Sequence, residues 1–105
     1  MNSNKAHQHA SIELTRHLGT IVKDGGLDLQ NIVPITINLM TFIGGVRNLS
    51  GQEKKTMVLE CLSEVVVATA EPPLKEDLLA FIALPLPVVI DRLIDVSKGK
   101  VRFKE

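Results

Sequence analysis

At 105 residues the chain is one domain, with room for one modest core and not for two. A composition of 45% apolar and 23% charged residues excludes an intrinsically disordered chain. Twelve basic residues balance twelve acidic ones, which excludes a global field that would gather a polyanion.

Residues 1–9 read as a polar, flexible leader, and 10–99 as the helical domain. From about Ala10 to Asp24, Leu14, Leu18, Ile21 and Val22 recur at helical steps, with Glu13, Arg16 and Lys23 facing out. Gly25-Gly26 stops that helix. Asp28 can cap a second helix running to about Ile43, although Pro34 then falls beyond the tolerated first turn, so the helix bends there or begins later. Ile35-Thr36-Ile37-Asn38-Leu39 alternates in a way that also suits a strand. Leu29, Ile32, Val33, Ile37 and Met40 fit helical spacing, and a central helix surrounded by others is the favoured reading over 29–43.

Gly44-Gly45 ends this element, and Ser50-Gly51-Gln52-Glu53 is a capping box. The Ser50 hydroxyl accepts from the Glu53 amide while the Glu53 carboxylate returns to the Ser50 N–H, which satisfies two donors at the positive helix end. Val58, Cys61, Leu62, Val65 and Thr69 then mark one buried face of a third helix, which runs to about Ala70. Glu71-Pro72-Pro73 stops it. Leu74 to Leu84 is a fourth helix, Pro85-Leu86-Pro87 breaks or kinks the chain, and Val88 to Val96 is the last helix, closed by Ser97-Lys98-Gly99. Residues 100–105 form a short basic tail. Lys98, Lys100, Arg102 and Lys104 against Glu105 leave the last nine residues at +3 and the rest at −3.

The fold expected is all-α, a single bundle of four to five helices with short connections, mostly antiparallel. With Phe42, Phe81 and Phe103 the only aromatic residues, the core is built from Ile, Leu and Val. The same scarcity counts against stacking on single-stranded nucleic acid and against aromatic carbohydrate platforms.

No residue pattern carries chemistry. His7, His9 and His17 lack the spacing of a metal site. Cys61 has no base near it in sequence and sits in an apolar stripe, so core packing accounts for it. Asp91 and Asp95 stand one turn apart as a solvated pair. Neither glycine pair has the lysine or spacing of a phosphate loop. Lys54-Lys55 opposes the helix dipole mildly, with acidic partners within reach. The expectation is a non-enzyme with no catalytic residue, metal or cofactor.

Leu78 to Ile90 is thirteen residues without a charge, more apolar surface than so small a core hides. Leu78, Phe81, Ile82, Leu84, Leu86, Val89 and Ile90 are therefore the candidate interaction surface, and the expected partner is a second copy or another protein. The alternative is a peripheral adaptor that binds anionic membrane or nucleic acid through Lys98, Lys100, Arg102 and Lys104. Four charges without interleaved aromatics give only weak, salt-sensitive binding.

Met1 to Ala10 lacks the apolar region of a secretory signal. The uncharged run Leu29 to Val46 is interrupted by Gln30, Asn31, Pro34, Thr36, Asn38 and Thr41, unlike a membrane span. A lone cysteine fits a reducing compartment. The expected protein is soluble and intracellular, neither secreted nor transmembrane.

Leu39-Met40, then Leu49-Ser50-Gly51-Gln52-Glu53-Lys54-Lys55 with Val58-Leu59, then Val89 through Lys100 resemble small helical proteins encoded by large DNA viruses of algae and protists. Those share a G-x-E-K-K-x-x-V helix start and an I-D-x-x-I-x-x-S-K-G-K ending. The resemblance covers roughly Asp28 onward. It implies a helical viral accessory or virion-associated protein in the host cytoplasm or the virion, and brings no active site.

Overall fold

Five α-helices and no strand make up residues 2–22 and 26–97, the part of the chain that the computed structural model describes, with side chains over 8–22 and 26–96. They are α1 (Asn2–Ile21), α2 (Ile32–Gly44), α3 (Gly51–Thr69), α4 (Leu74–Ala83) and α5 (Pro85–Ser97). The chain is all-α, as its periodicities require. The strand alternative over 29–43 is excluded.

α1 starts eight residues earlier than its apolar stripe. The expected leader is helical from Asn2, yet Gln8 and His9 are exposed and burial begins at Ala10. Core packing and helix start are therefore separate events, and the polar first turns carry no buried side chain at 8 or 9. Leu14 and Leu18 are fully buried, while Ile21 and Val22 are partly so.

α2 takes the later of its two possible starts. Asp28 caps a turn rather than the helix: its Oδ1 accepts from the amides of Gln30 and Asn31 at 2.9 and 2.8 Å. Asn31 answers by accepting from the Asp28 amide at 2.8 Å and donating Nδ2 to the Gly26 carbonyl at 3.0 Å. Four residues are spent in this reciprocal turn, so Pro34 falls at the third helical position, where the missing N–H costs nothing. Ile32, Ile35, Thr36, Leu39 and Ile43 are buried at helical spacing. Thr36 is the one buried polar residue among those described, and its hydroxyl donates to the Ile32 carbonyl at 2.7 Å.

Between α2 and α3, Asn48 takes a positive φ of 71°, a conformation that asparagine tolerates better than most residues. The capping box then forms as its sequence requires: Glu53 N–H to Ser50 Oγ at 3.1 Å, and Ser50 N–H to Glu53 Oε1 at 2.7 Å. α3, not α2, is the central element, since it packs against each of the other four helices. Contact from both sides widens its buried face beyond the expected stripe, to Met57, Val58, Cys61, Leu62 and Val66. Thr69 is exposed, and its hydroxyl turns back to the Val65 carbonyl.

Pro85 and Pro87 both lie in the first turn of α5, so the prolines start that helix instead of breaking one. α4 and α5 meet at Leu84 and run one after the other along α3, with Ala83 and Pro87 beside Glu60 and Ser63, Asp91 on Lys55 and Ile94 beside Gly51; α5 also reaches α2. No helix among the described residues is long and apolar enough to cross a membrane.

Burial sets the stability expected of two aliphatic positions on α3. Leu62 is fully buried and Val67 is 57% exposed. Leu62→Ala should cost about 3 kcal/mol through lost transfer energy and a cavity. Val67→Ala should stay within about 0.5 kcal/mol. Urea denaturation of both variants checks the contrast, and equal losses would contradict the packing described.

Candidate interaction surface

The seven residues expected at the surface divide. Leu78, Leu86 and Ile90 are fully buried, and Ile82 is 5% exposed. These four are core, a correction with a simple cause: Leu78 and Ile82 are one turn apart on α4, Leu86 and Ile90 one turn apart on α5, and both stripes belong to the buried core beside α3. Two short helices each hiding one stripe take four of the seven candidates into the core. Phe81 and Val89 are half-buried against that core. Leu84, at the α4–α5 junction, is 73% exposed and is the one large exposed side chain of the seven.

Other apolar side chains stand outside instead. Val88, one turn beyond Leu84, is 58% exposed, and Val67 near the end of α3 is 57% exposed. A shallow depression beside the α4–α5 junction is lined by Glu60, Ser63 and Glu64 from the middle of α3 together with Ala83 and Pro87.

The start of α3 holds a groove of about 660 Å³, where the C-terminal parts of α2 and α5 meet it. Met40, Leu49, Leu93 and Ile94 line it, with Ile37 and Val96 exposed by 41% and 37% at its edge. Lys54 is its only titratable lining residue among those described. Gly51 lies directly beside Ile94 of α5: a Cβ at that position would lie 3.4 Å from Ile94 Cγ2 and 3.6 Å from Cδ1, ordinary contact distances.

The two lysines after the cap find separate partners. Lys54 Nζ donates to the Gly44 carbonyl at 3.1 Å, at the negative end of α2. Lys55 Nζ pairs with Asp91 Oδ1 at 2.8 Å and ties α3 to α5, with the lysine side chain 18% exposed. Asp91 is consequently engaged, and no group of three or more His, Cys, Asp or Glu residues among those described could hold a metal ion.

His17, which has no metal-site spacing, is held in place by α2. Its Nε2 lies 2.7 Å from Asn38 Oδ1, and its ring stacks on Phe42 at a centroid distance of 4.2 Å and an interplanar angle of 8°. This contact joins α1 to α2. His9 is exposed, whereas the His7 side chain and the basic residues Lys98, Lys100, Arg102 and Lys104 lie outside the described residues.

Cys61 is buried, as its stripe requires. Burial pushes its thiol above the ordinary range; Thr15 Oγ1, 3.8 Å from Sγ, pulls the other way, and the nearby Glu64 charge adds to the rise. A thiol held protonated is a poor nucleophile. No family model, curated protein or solved structure matches the chain.

The raised thiol has a signed consequence for stability. Its folded pKa lies above the unfolded one, so its contribution is intact below the unfolded pKa and is lost as pH rises through the folded value. Thermal melting of the wild type should therefore decline more steeply in alkaline buffer than that of Cys61→Ala, since the lysine contributions are common to both. Parallel declines would contradict the assignment.

Proposed function

We propose that this chain is a non-catalytic interaction module that works through aliphatic surface, associating with copies of itself or docking another protein. The observation that carries this reading is that large apolar side chains stay outside the core. Leu84 and Val88 are exposed about the α4–α5 junction; Ile37 and Val96 edge the apolar groove at the start of α3. Scattered exposed aliphatics need no explanation, but an apolar groove rimmed by them is the pattern of a contact surface.

The groove supports binding over chemistry. A catalytic cleft converges several titratable groups with shifted proton affinities, whereas here one lysine stands on an aliphatic lining. The resemblance carried by Ser50 to Lys55 and by Val89 to Lys100 adds that the module is a viral accessory or virion-associated protein. The lone buried thiol suits a reducing compartment.

Sedimentation across a wide concentration range tests the reading. A mass that climbs reversibly with concentration supports self-association, and a strict monomer removes it. Salt-sensitive co-sedimentation with anionic liposomes or duplex DNA, lost when Lys98, Lys100, Arg102 and Lys104 are neutralised, would put a peripheral adaptor in its place.

A further inference from the structure

We propose that the groove at the start of α3 is covered by this chain's own C-terminal segment, residues 98–105, with Val101 and Phe103 on the aliphatic lining and Glu105 at Lys54. These residues follow Ser97, the last one described, and their sequence fits both the lining and the position of the groove. A partner that docks at the groove displaces the segment, which is thus a competitor of the association proposed above.

α5 ends at Ser97, and Val96 in its last turn lines the groove, so the chain leaves the helix at the groove's edge. Lys98, Gly99 and Lys100 suffice for a reversal, because a glycine just past a helix end takes the left-handed conformation at no steric cost. Val101 and Phe103 are the first apolar side chains after that reversal. Tethering at so short a distance gives an effective concentration in about the millimolar range, so even a weak contact is populated.

In an extended segment alternate side chains face opposite ways. Val101, Phe103 and Glu105 then share one face, and Lys100, Arg102 and Lys104 share the other. The groove offers the matching set: an aliphatic lining from Ile37, Met40, Leu93 and Val96, with Lys54 as its only titratable residue among those described. Lys54 Nζ donates to the Gly44 carbonyl and has two further N–H donors for the Glu105 carboxylate. The lengths agree as well. Ile37 and Gly44 mark the lining along α2 over about 10 Å. Val101 to Glu105 in extended form covers about 13 Å. The described lining carries no acidic side chain, so the basic face gains nothing from it and stays in solvent. Phe103 is the anchor, since an aromatic ring buries the most area of the three inward side chains. The ion pair at the rim sets register and contributes little.

Fluorescence of the full chain provides the test. The sequence has no tryptophan or tyrosine, so Phe103→Trp places a single indole at the anchor. Its emission should lie to the blue of the same variant unfolded in urea, and acrylamide should quench it less. Ile37→Glu, or Val96→Glu as a second variant, added to that background should return both readings to their unfolded values. Ile37 and Val96 are 41% and 37% exposed, so circular dichroism and melting should show the fold intact in each. Emission already at the unfolded value in the folded chain would overturn the proposal. So would a blue shift that survives both groove variants, since the indole would then be buried elsewhere. A blue shift that fades on dilution would assign the segment to a neighbouring copy and overturn the contact within one chain. Failure of the association reading shows separately: a monomer at every concentration removes self-association and leaves the covered groove standing.

Discussion

Packing on α3 is the constraint from which the other elements take their places. It alone touches every other helix, and only a strip formed by Gln52, Thr56, Glu60 and Glu64, with the last residues of the helix, remains in solvent. That strip repeats every four residues, so everything off it is available for burial. α1 packs only on α2 and α3, and α4 only on α3 and α5, so a weakened α3 face would loosen both flanks together. The capping box therefore matters beyond its local hydrogen bonds. By fixing Gly51 as the first helical residue it sets the phase of the buried face along the next five turns.

The start of α3 is also where three helices converge, and the local charges record it. Two lysines directly after an N-cap oppose the dipole of their own helix. Lys54 recovers that cost at the Gly44 carbonyl, where the end of α2 favours a cation, and Lys55 recovers it on Asp91 of α5. Exposed pairs of this kind contribute little, and even the partly buried one is worth on the order of 1 kcal/mol or less. Their effect is positional: they hold the end of α2 and the middle of α5 around Gly51. Gly51 and Ile94 both line the groove, which sits at this junction.

Periodicity and capping made the helices readable before the structure was known, because both are local. Ser50 to Glu53, the stripe through Val58 and Leu62, and the proline stop after Ala70 needed no tertiary information. Pro34 was ambiguous because the choice of helix start depends on the Asp28–Asn31 side-chain turn, which competes with the helix for the same backbone amides. The uncharged run from Leu78 to Ile90 misled for a different reason. Counting apolar residues cannot say how many the core accepts, and α4 and α5 each placed one stripe inside. The groove was invisible because Ile37, Leu49 and Ile94 come from separate elements, and so were the partners of His17, Asn38 and Phe42, which lie 21 and 25 residues away.

The aliphatic residues left outside contribute little to holding the chain together. Leu84 is mostly hydrated in the folded state and equally hydrated when unfolded, so its side chain adds little of the roughly 25 cal/mol per Å² that burial supplies. A polar residue there would fold as well and dissolve better. The same holds for Val88 and, to a lesser degree, for Ile37 at its 41% exposure. Folding draws on the stripes facing α3, whereas the association proposed above would draw on other side chains, the exposed aliphatics about the α4–α5 junction and the groove. Such separation lets a surface charge alter association without disturbing the core, which is the condition under which changes in assembly can be read as evidence about contact and not about unfolding.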